Sequence, residues 1–407
     1  MNKYLKWFFF PALFLVLLIA LIPTIASTSL GKPFFTRWLE SKSHGKVEIG
    51  KLSLSWLGPQ KFKDIQWSRD GVVAVAPELQ IKAPFWSFSG PFLLENGSIS
   101  YKNGKIENIE SKLEGNDFSL TGVSADGHID LKGEVISEKK FNIGVEVKNF
   151  PTIVIDHDFS KIVGPTLDLQ GRVTEKLVNL DIHSLNFETT LLANWTNEGL
   201  TLDQPLRAAI KLTPHLSEMM LKNTNPLLIT GLYAEKPLIL NLSNQNFLLP
   251  LPYSLKKLSA RGILEVGEVF CRNGKTLASI ASLIDIKISS MMRVWCTPIS
   301  FQIIDGIMKT TRMDALVSDH IHVCTWGEID LINDQIKMEL GLNRDTLEKY
   351  FGLKNLPINF VIPIPIRGTT SNPQINGKKA LSQIAKAFLF KQDGIPPAKR
   401  PFPWEKK

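Results

Sequence analysis

Chemistry would first be sought at His320-Ile-His322. Two imidazoles at i and i+2 share one face of a strand, and Asp319 adjoins them. Such a pair can hold a metal ion when a third ligand joins it. No third ligand is evident in the sequence, and the expectation is two solvent-facing histidines. Asp156-His157-Asp158 reads as a polar turn. The three cysteines, Cys271, Cys296 and Cys324, are scattered, odd in number and without a CxxC pair. They fit small core residues rather than a disulfide framework or a zinc site. The chain has no GxSxG, Walker A, GxGxxG or HExxH. The expectation is a protein with no catalytic residue, no metal and no cofactor, and not an enzyme.

Composition narrows the class of partner. The chain has 407 residues, 44% of them hydrophobic and 21% charged, with a formal net charge of +8. That excess is mild for the length, and much of it sits in Lys386, Lys391, Lys399, Arg400, Lys406 and Lys407. A nucleic-acid binder would show denser basic patches. No nucleic-acid partner is expected, and the charge fits better with an acidic membrane surface or with no specific partner.

Residues 1–27 are expected to form a transmembrane anchor. The run Trp7–Ile25 carries no charge and, at 1.5 Å per residue, would span roughly 28 Å, about one hydrocarbon core. Lys3 and Lys6 precede it and favour a cytoplasmic N-terminus. A cleaved signal peptide is the rival, with Thr24-Ile25-Ala26 as a small-x-small site, but the run is longer than a usual signal core. Either reading exports the rest of the chain.

The exported part alternates with period two. Phe141, Ile143, Val145 and Val147 alternate with polar or small residues, as do Ile129 and Leu131, Leu167 and Leu169, and Ile336, Met338 and Leu340. The same pattern places Val47, Ile49, Leu52 and Leu54, and later Ile329 and Leu331, on apolar strand faces. Asp70-Gly71, Asn96-Gly97, Asn103-Gly104, Asp126-Gly127, Asn273-Gly274 and Asp305-Gly306 supply the turn chemistry of tight hairpins, and Asn333-Asp334 acts likewise. The prediction is on the order of 25 antiparallel strands. Helices are predicted over Ser29–Ser43, from Thr213-Pro214 to about Asn223, over Asp345–Phe351 ahead of Gly352, and over Lys378–Lys391. The last is basic and amphipathic, fit either to touch a membrane or to cap the end of the sheet. The domain plan is therefore an anchor at 1–27, a juxtamembrane helix at 28–43, an antiparallel β-groove domain at 44–376, and a basic helix and tail at 377–407.

The apolar strand faces need cover. A sandwich, a closed barrel and a curved sheet whose apolar face lines a groove for lipid tails are the three solutions. The stretch Val361-Ile-Pro-Ile-Pro-Ile-Arg-Gly368 bears on the choice. Successive N–H groups of a strand point to opposite edges, so Pro363 and Pro365 lack donors on the same edge. Such a strand is expected to pair on one side only and to end its sheet, which makes the sheet open rather than closed.

Ile364-Pro-Ile-Arg-Gly-Thr-Thr-Ser-Asn-Pro-Gln-Ile375 resembles the C-terminal signature of AsmA-like proteins, with Gly368, Thr369, Asn372 and Pro373 at the matching positions. Met313-Asp314-Ala315 and Trp326-Gly-Glu-Ile-Asp-Leu331 resemble the strands before that signature. The anchor, the short helix and Lys46–Trp56 resemble the family's opening. The resemblance covers both ends of the chain and the middle only in style. It implies a mostly-β protein: an N-terminal transmembrane helix followed by a long curved antiparallel sheet, an open β-groove. It further implies anchoring in a bacterial inner membrane, a periplasmic bulk, phospholipid as partner, and work in lipid transport or outer-membrane biogenesis, with an outer-membrane or assembly-machinery partner. The apolar alternators named above would then solvate acyl chains. A structural or interaction β-sandwich or solenoid of the cell envelope, without lipid cargo, is the other reading. A carbohydrate-active solenoid would need carboxylates clustered with aromatics, and the sequence has no such cluster.

If the run Trp7–Ile25 stays attached, the intact mass of protein extracted from membranes will include residues 1–26. A mature chain beginning at Ser27 would establish cleavage instead.

Overall fold

The computed structural model describes residues 22–24, 26–29, 31–84, 90–101, 104–137, 140–219, 233–272, 291–370, 372–375, 382, 384–386 and 401–405. The predicted anchor lies almost wholly outside them. So do most of the helix predicted over Lys378–Lys391, the end of the one predicted to reach Asn223, the pair Asn273-Gly274, and Asn103. No helix among the described residues is long and apolar enough to cross a membrane.

The protein is mostly β, an open antiparallel sheet with a few short helices. The chain divides into two compact units, residues 1–160 with 165–175 and residues 161–164 with 176–407. The first unit begins with helix α1 (Lys32–Ser43), followed by β1 (Lys46–Ser53), β2 (Gln60–Arg69), β3 (Val72–Ile81), β4 (Phe92–Tyr101), β5 (Gly104–Glu114), β6 (Asp117–Ser124), β7 (Gly127–Ser137), β8 (Lys140–Pro151) and, after helix α2 (His157–Val163), β9 (Thr166–Thr174). Each strand pairs with the next, a plain meander.

The second unit holds β10 (Leu177–Ser184), β11 (Phe187–Trp195), β12 (Gly199–Leu202), β13 (Leu206–Ile210), helix α3 (Pro214–Met219), β14 (Leu238–Leu242), β15 (Leu249–Pro250), β16 (Ala260–Glu265), β17 (Gly267–Arg272), β18 (Met291–Cys296), β19 (Ile299–Ile304), β20 (Ile307–Val317), β21 (Ile321–Asp330), β22 (Gln335–Asn343), helix α4 (Arg344–Phe351), β23 (Val361–Gly368) and β24 (Pro373–Ile375). Two strands branch the ladder. One edge of β20 takes β19 at residues 307–310 and β18 at 315–317, while its other edge takes β21. Likewise β11 takes β10 on one edge and both β12 and β13 on the other.

Local chemistry sets most of the boundaries. Thr213 Oγ1 accepts the Leu216 N–H at 3.2 Å and so caps α3. Gly352, with φ of 67°, closes α4 in the left-handed region, as its sequence position predicts. Asp70-Gly71 and Asp305-Gly306 both take positive φ and close the β2–β3 and β19–β20 hairpins. Two other Asx-Gly pairs do something else. Asn96 takes positive φ inside β4, where the ladder to β5 slips between Leu94 and Gly97, so this pair makes a bulge and not a hairpin. At Asp126-Gly127 the positive φ falls on Ala125, and Gly127 is already the first residue of β7. Asp156-His157-Asp158 is also no simple turn. Asp156 Oδ1 accepts the N–H groups of Asp158 and Phe159 at 2.9 and 3.2 Å, which starts α2.

The prolines of β23 bear out the parity reasoning and correct its conclusion. Ile362, Ile364 and Ile366 stand opposite Leu342, Leu340 and Met338 of β22, and all six are buried. Pro363 and Pro365 lie between them, facing Gly341 and Glu339, at positions whose N–H would point away from β22. Yet β23 is not the last strand. The three-residue β24 pairs with it at Ile366, Arg367 and Gly368, just beyond the prolines. The turn between them is built by the signature residues. Gly368 has φ of 106°, and a Cβ there would meet the Asn372 carbonyl oxygen at 2.7 Å. Thr369 Oγ1 accepts the Asn372 N–H at 3.1 Å, Thr370 N–H donates to Asp334 Oδ1 at 3.1 Å, and Pro373 opens β24.

The parity has a direct consequence. Pro365→Val should leave the urea midpoint nearly unchanged, because no ladder bond to β22 is gained or lost. Ile364→Pro should cost about 3 kcal/mol or more, through a lost ladder bond and a lost core side chain. Equal midpoints for Ile364→Pro and the unaltered chain would refute the assigned edge.

Candidate functional site

Two places gather side chains in a way that could serve a function. The first is the apolar face of the first unit. Leu52 stands opposite Phe62, Phe62 opposite Leu79, Leu79 opposite Leu94, Leu94 opposite Ser111, Ser111 opposite Leu120, Leu120 opposite Leu131, Leu131 opposite Val145 and Val145 opposite Gly171. One row of side chains thus crosses all nine strands on one face, roughly 40 Å at the usual strand spacing. A second row runs beside it through Ile81, Phe92, Leu113, Phe118, Gly133, Ile143 and Val173.

Cover over this face is uneven. Val47, Ile49, Leu52 and Leu54 pack with Phe35 of α1 and with Phe62 in one buried cluster. Farther along, Ile129, Leu131, Phe141, Ile143, Val145 and Leu169 are only half-buried, while Val147 and Leu167 are buried. Ile99, on the same face, is 37% exposed. The opposite face is charged. Lys63 reaches Glu78 at 3.1 Å, and Lys105–Glu107, Lys112–Glu114, Lys132–Asp130 and Lys148–Glu146 pair along single strands. Surface pairs of this sort add little stability, but they keep that face in water.

The second unit treats the same pattern differently. Ile329, Ile336, Met338 and Leu340 are fully buried, in a cluster that includes Leu347 of α4, Leu353, Phe360 and Ile384; Leu331 packs at its margin. The three cysteines are buried here too. Burial pushes the Cys271 thiol up to about 11 and the Cys296 thiol up to about 12, and it raises Cys324 as well. None is poised as a thiolate nucleophile.

The other gathering is polar and lies behind that core. The register of β20 slips by one residue between Thr310 and Met313. Before the slip Met308 and Thr310 face the core; after it Met313, Ala315 and Val317 do, and Arg312 and Asp314 turn to the opposite side. Asp314 is completely buried. Its Oδ1 accepts from Arg312 Nη2 at 2.7 Å and from Asn343 Nδ2 at 3.1 Å, and lies 3.0 Å from His322 Nε2. Its Oδ2 accepts from Arg312 Nε at 3.0 Å, which completes a two-pronged pair. His322 is therefore not the solvent-facing residue predicted; it is buried, whereas His320 is exposed in the turn before β21. The other ring nitrogen of His322, Nδ1, is 3.4 Å from Asp345 Oδ2. Its backbone N–H donates to Thr346 Oγ1 at 2.8 Å, and that hydroxyl donates back to its carbonyl at 2.7 Å. Phe402 closes the cluster, its ring centroid 5.3 Å from that of His322, and stacks on Trp404, which meets Trp295 edge-on.

The arrangement sets an imidazole between two carboxylates. It offers no activated nucleophile, since the Thr346 hydroxyl is committed at both its donor and its acceptor and Cys324 is a buried thiol. Among the described residues no three His, Cys, Asp or Glu side chains are placed to hold a metal ion, and Asp314 and Asp345 lie on different ring nitrogens of His322. The cluster ties β20, β21, β22 and the start of α4 together.

Burial alone would raise the Asp314 carboxyl, but hydrogen bonds from His322 and Arg312 outweigh it and hold the group below its ordinary value. A depressed carboxyl contributes stability above its unfolded-state value, near 3.9, and loses it as the pH falls through the folded one. Asp314→Asn leaves Arg312 buried without its charge partner, at a cost on the order of 3–5 kcal/mol in urea at neutral pH. The difference from the unaltered chain should be flat above about pH 4 and shrink below it. A difference that grew on acidification would contradict the assignment.

No protein-family model, curated protein or solved structure matches this chain.

Proposed function

We propose that the chain is a membrane-anchored envelope protein whose first unit solvates the acyl chains of a phospholipid along its apolar strand face. The carrying observation is the row from Leu52 to Gly171, in register through nine strands, half-buried where α1 no longer covers it. A soluble protein seldom leaves a large contiguous apolar face open without a ligand for it. Small residues at Ser111, Gly133 and Gly171 lower the floor of the face between larger side chains. The apolar run Trp7–Ile25 would hold the protein in a bacterial inner membrane, with the bulk of the chain in the periplasm. The resemblance of both chain ends to AsmA-like proteins agrees with phospholipid transport or outer-membrane biogenesis, with an outer-membrane or assembly-machinery partner. The chemistry proposed is binding and passage, not catalysis.

One observation favours a structural role for the second unit. Its apolar face is shut by α4 and its flanking segments, so Met338 and Leu340 are core residues and not cargo contacts. A stalk or interaction module is the reading that suits that half.

Aspartate substitution separates the two environments. Val145→Asp and Leu169→Asp can turn the new carboxylate toward water, so the fold should survive while photocrosslinking to acyl chains falls at least several-fold. Met338→Asp places an unpaired charge in a closed core, and the cost of several kcal/mol should unfold the second unit. Loss of fold in Val145→Asp, or an unaltered chain that never crosslinks to lipid, would overturn the proposal in favour of an interaction protein without cargo.

A further inference from the structure

Beside α1 lies a cleft of about 590 Å³ that touches the apolar row only at Leu52. It is lined by Lys32, Lys51, Lys61 and Lys63 together with hydroxyl-bearing Thr28, Ser29 and Ser53, and no carboxylate lines it. Ser27 lines it too, but its hydroxyl donates to the Pro23 carbonyl oxygen and accepts from the Leu54 N–H. We propose that this cleft binds a phosphate-bearing anion, with the headgroup of an anionic phospholipid and free phosphate as the two sources of that chemistry.

The first support is a violation of strand-pairing rules. Lys51 on β1 stands directly opposite Lys63 on β2, and Lys61 lies two residues along, opposite Ser53. Like charges in direct register destabilise a ladder, and such a violation marks a place where function overrides stability. Compensation is incomplete. Glu78 alone serves both Lys61, at 3.9 Å, and Lys63, at 3.1 Å, and Lys63 holds its carboxyl below the ordinary range. Lys51 has no ion pair among the described residues. Asp64 faces Gly50 but lines a neighbouring cleft. Lys32 is fixed from the helix side by donating to the Gly50 carbonyl oxygen at 3.1 Å, so its ammonium is held at the rim. Four lysines lining one cleft with hydroxyl-bearing residues suit a compact, multiply charged oxyanion.

The second support is position, and here the inference rests on the reading of Trp7–Ile25 as an anchor. Ser27 follows Ile25 by two residues, a reach of at most about 7 Å. A segment leaving the bilayer at Ile25 puts the cleft at the level of lipid phosphates, where lysines also gain from the surface potential.

The test is lysine footprinting of the full chain in nanodiscs, by amine acetylation and mass spectrometry. Three conditions are compared: phosphatidylcholine discs in chloride, the same discs in inorganic phosphate at equal ionic strength, and discs containing phosphatidylglycerol. Acetylation of Lys51, Lys61 and Lys63 should slow at least threefold relative to the exposed Lys112 and Lys132. Slowing only with phosphatidylglycerol assigns the site to a lipid headgroup, and slowing with inorganic phosphate assigns it to free phosphate; either upholds the anion site. Equal rates in all three conditions overturn it. So does protection of Lys61 that persists in the Lys51→Gln/Lys63→Gln variant, because general screening would then explain it. Crosslinking of a neutral diacylglycerol photoprobe near Val145 is measured in parallel. Its failure with the lysine protection intact removes the acyl-chain reading and leaves this one standing.

Discussion

A strand can turn only alternate side chains to one face, and in the first unit that parity stays in step through eight successive pairings, from β1 to β9. A slip of one residue at any pairing would carry every later apolar side chain into water. The ladder does slip, at Leu94–Gly97 in β4 and between Val147 and Phe150 in β8, and each time the phase of the apolar residues changes with it. Phe150 takes up the face that Val147 leaves, opposite Leu167, as Val147 stands opposite Leu169. The bulges are thus part of the pattern, and the hydrophobic face survives them.

Much of this was legible from composition and spacing. Alternation located the strands, Asp70-Gly71 and Asp305-Gly306 marked hairpins, and Thr213-Pro214 and Gly352 marked helix ends, because each of these signals acts within a few residues of itself. The misreadings have a common cause. Asn96-Gly97 has the chemistry of a hairpin turn, but Asn prefers positive φ in a bulge as readily as in a loop, and only the continuing ladder on both sides decides between them. The sequence sets His322 beside Asp319 and His320, whereas its partners are Asp314 and Asp345, 8 and 23 residues away. A partner across a ladder is set by register, which no short window contains. One signal was available: in Ile307–Val317 the apolar positions run Met308, then Met313, Ala315 and Val317, and the change from even to odd marks the slip that sends Arg312 and Asp314 to the far side.

The two clusters of the second unit show why that slip matters. A buried carboxylate is costly unless paired and hydrogen-bonded, and Asp314 meets both conditions only because Arg312 lies two residues before it on the same side of the strand. The satisfaction is not perfect. Asn343 Oδ1 is buried with no hydrogen-bond partner, because its Nδ2 is turned to Asp314, and Asn343 makes no side-chain cap for α4. A network this exacting favours one strand register over its neighbours, so it can specify the arrangement of β20–β22 even where it adds little net stability.

The fate of an apolar strand face depends on its cover, and cover is not written in alternation. Val145 and Met338 belong to strands with the same period and similar composition, yet Val145 is half-buried and Met338 is inaccessible. The difference comes from elements with other signals. Leu347 of α4, Leu353 and Phe360 stand over the face of β22 and β23, whereas α1 packs on β1 and its buried cluster reaches no farther than β3. A period of two therefore identifies residues able to line a groove, and the helical segments between strands decide which of them do. By that criterion β4 to β9 are the strands that α1 leaves uncovered, and Lys51, Lys61 and Lys63 lie on the other, charged face of β1 and β2.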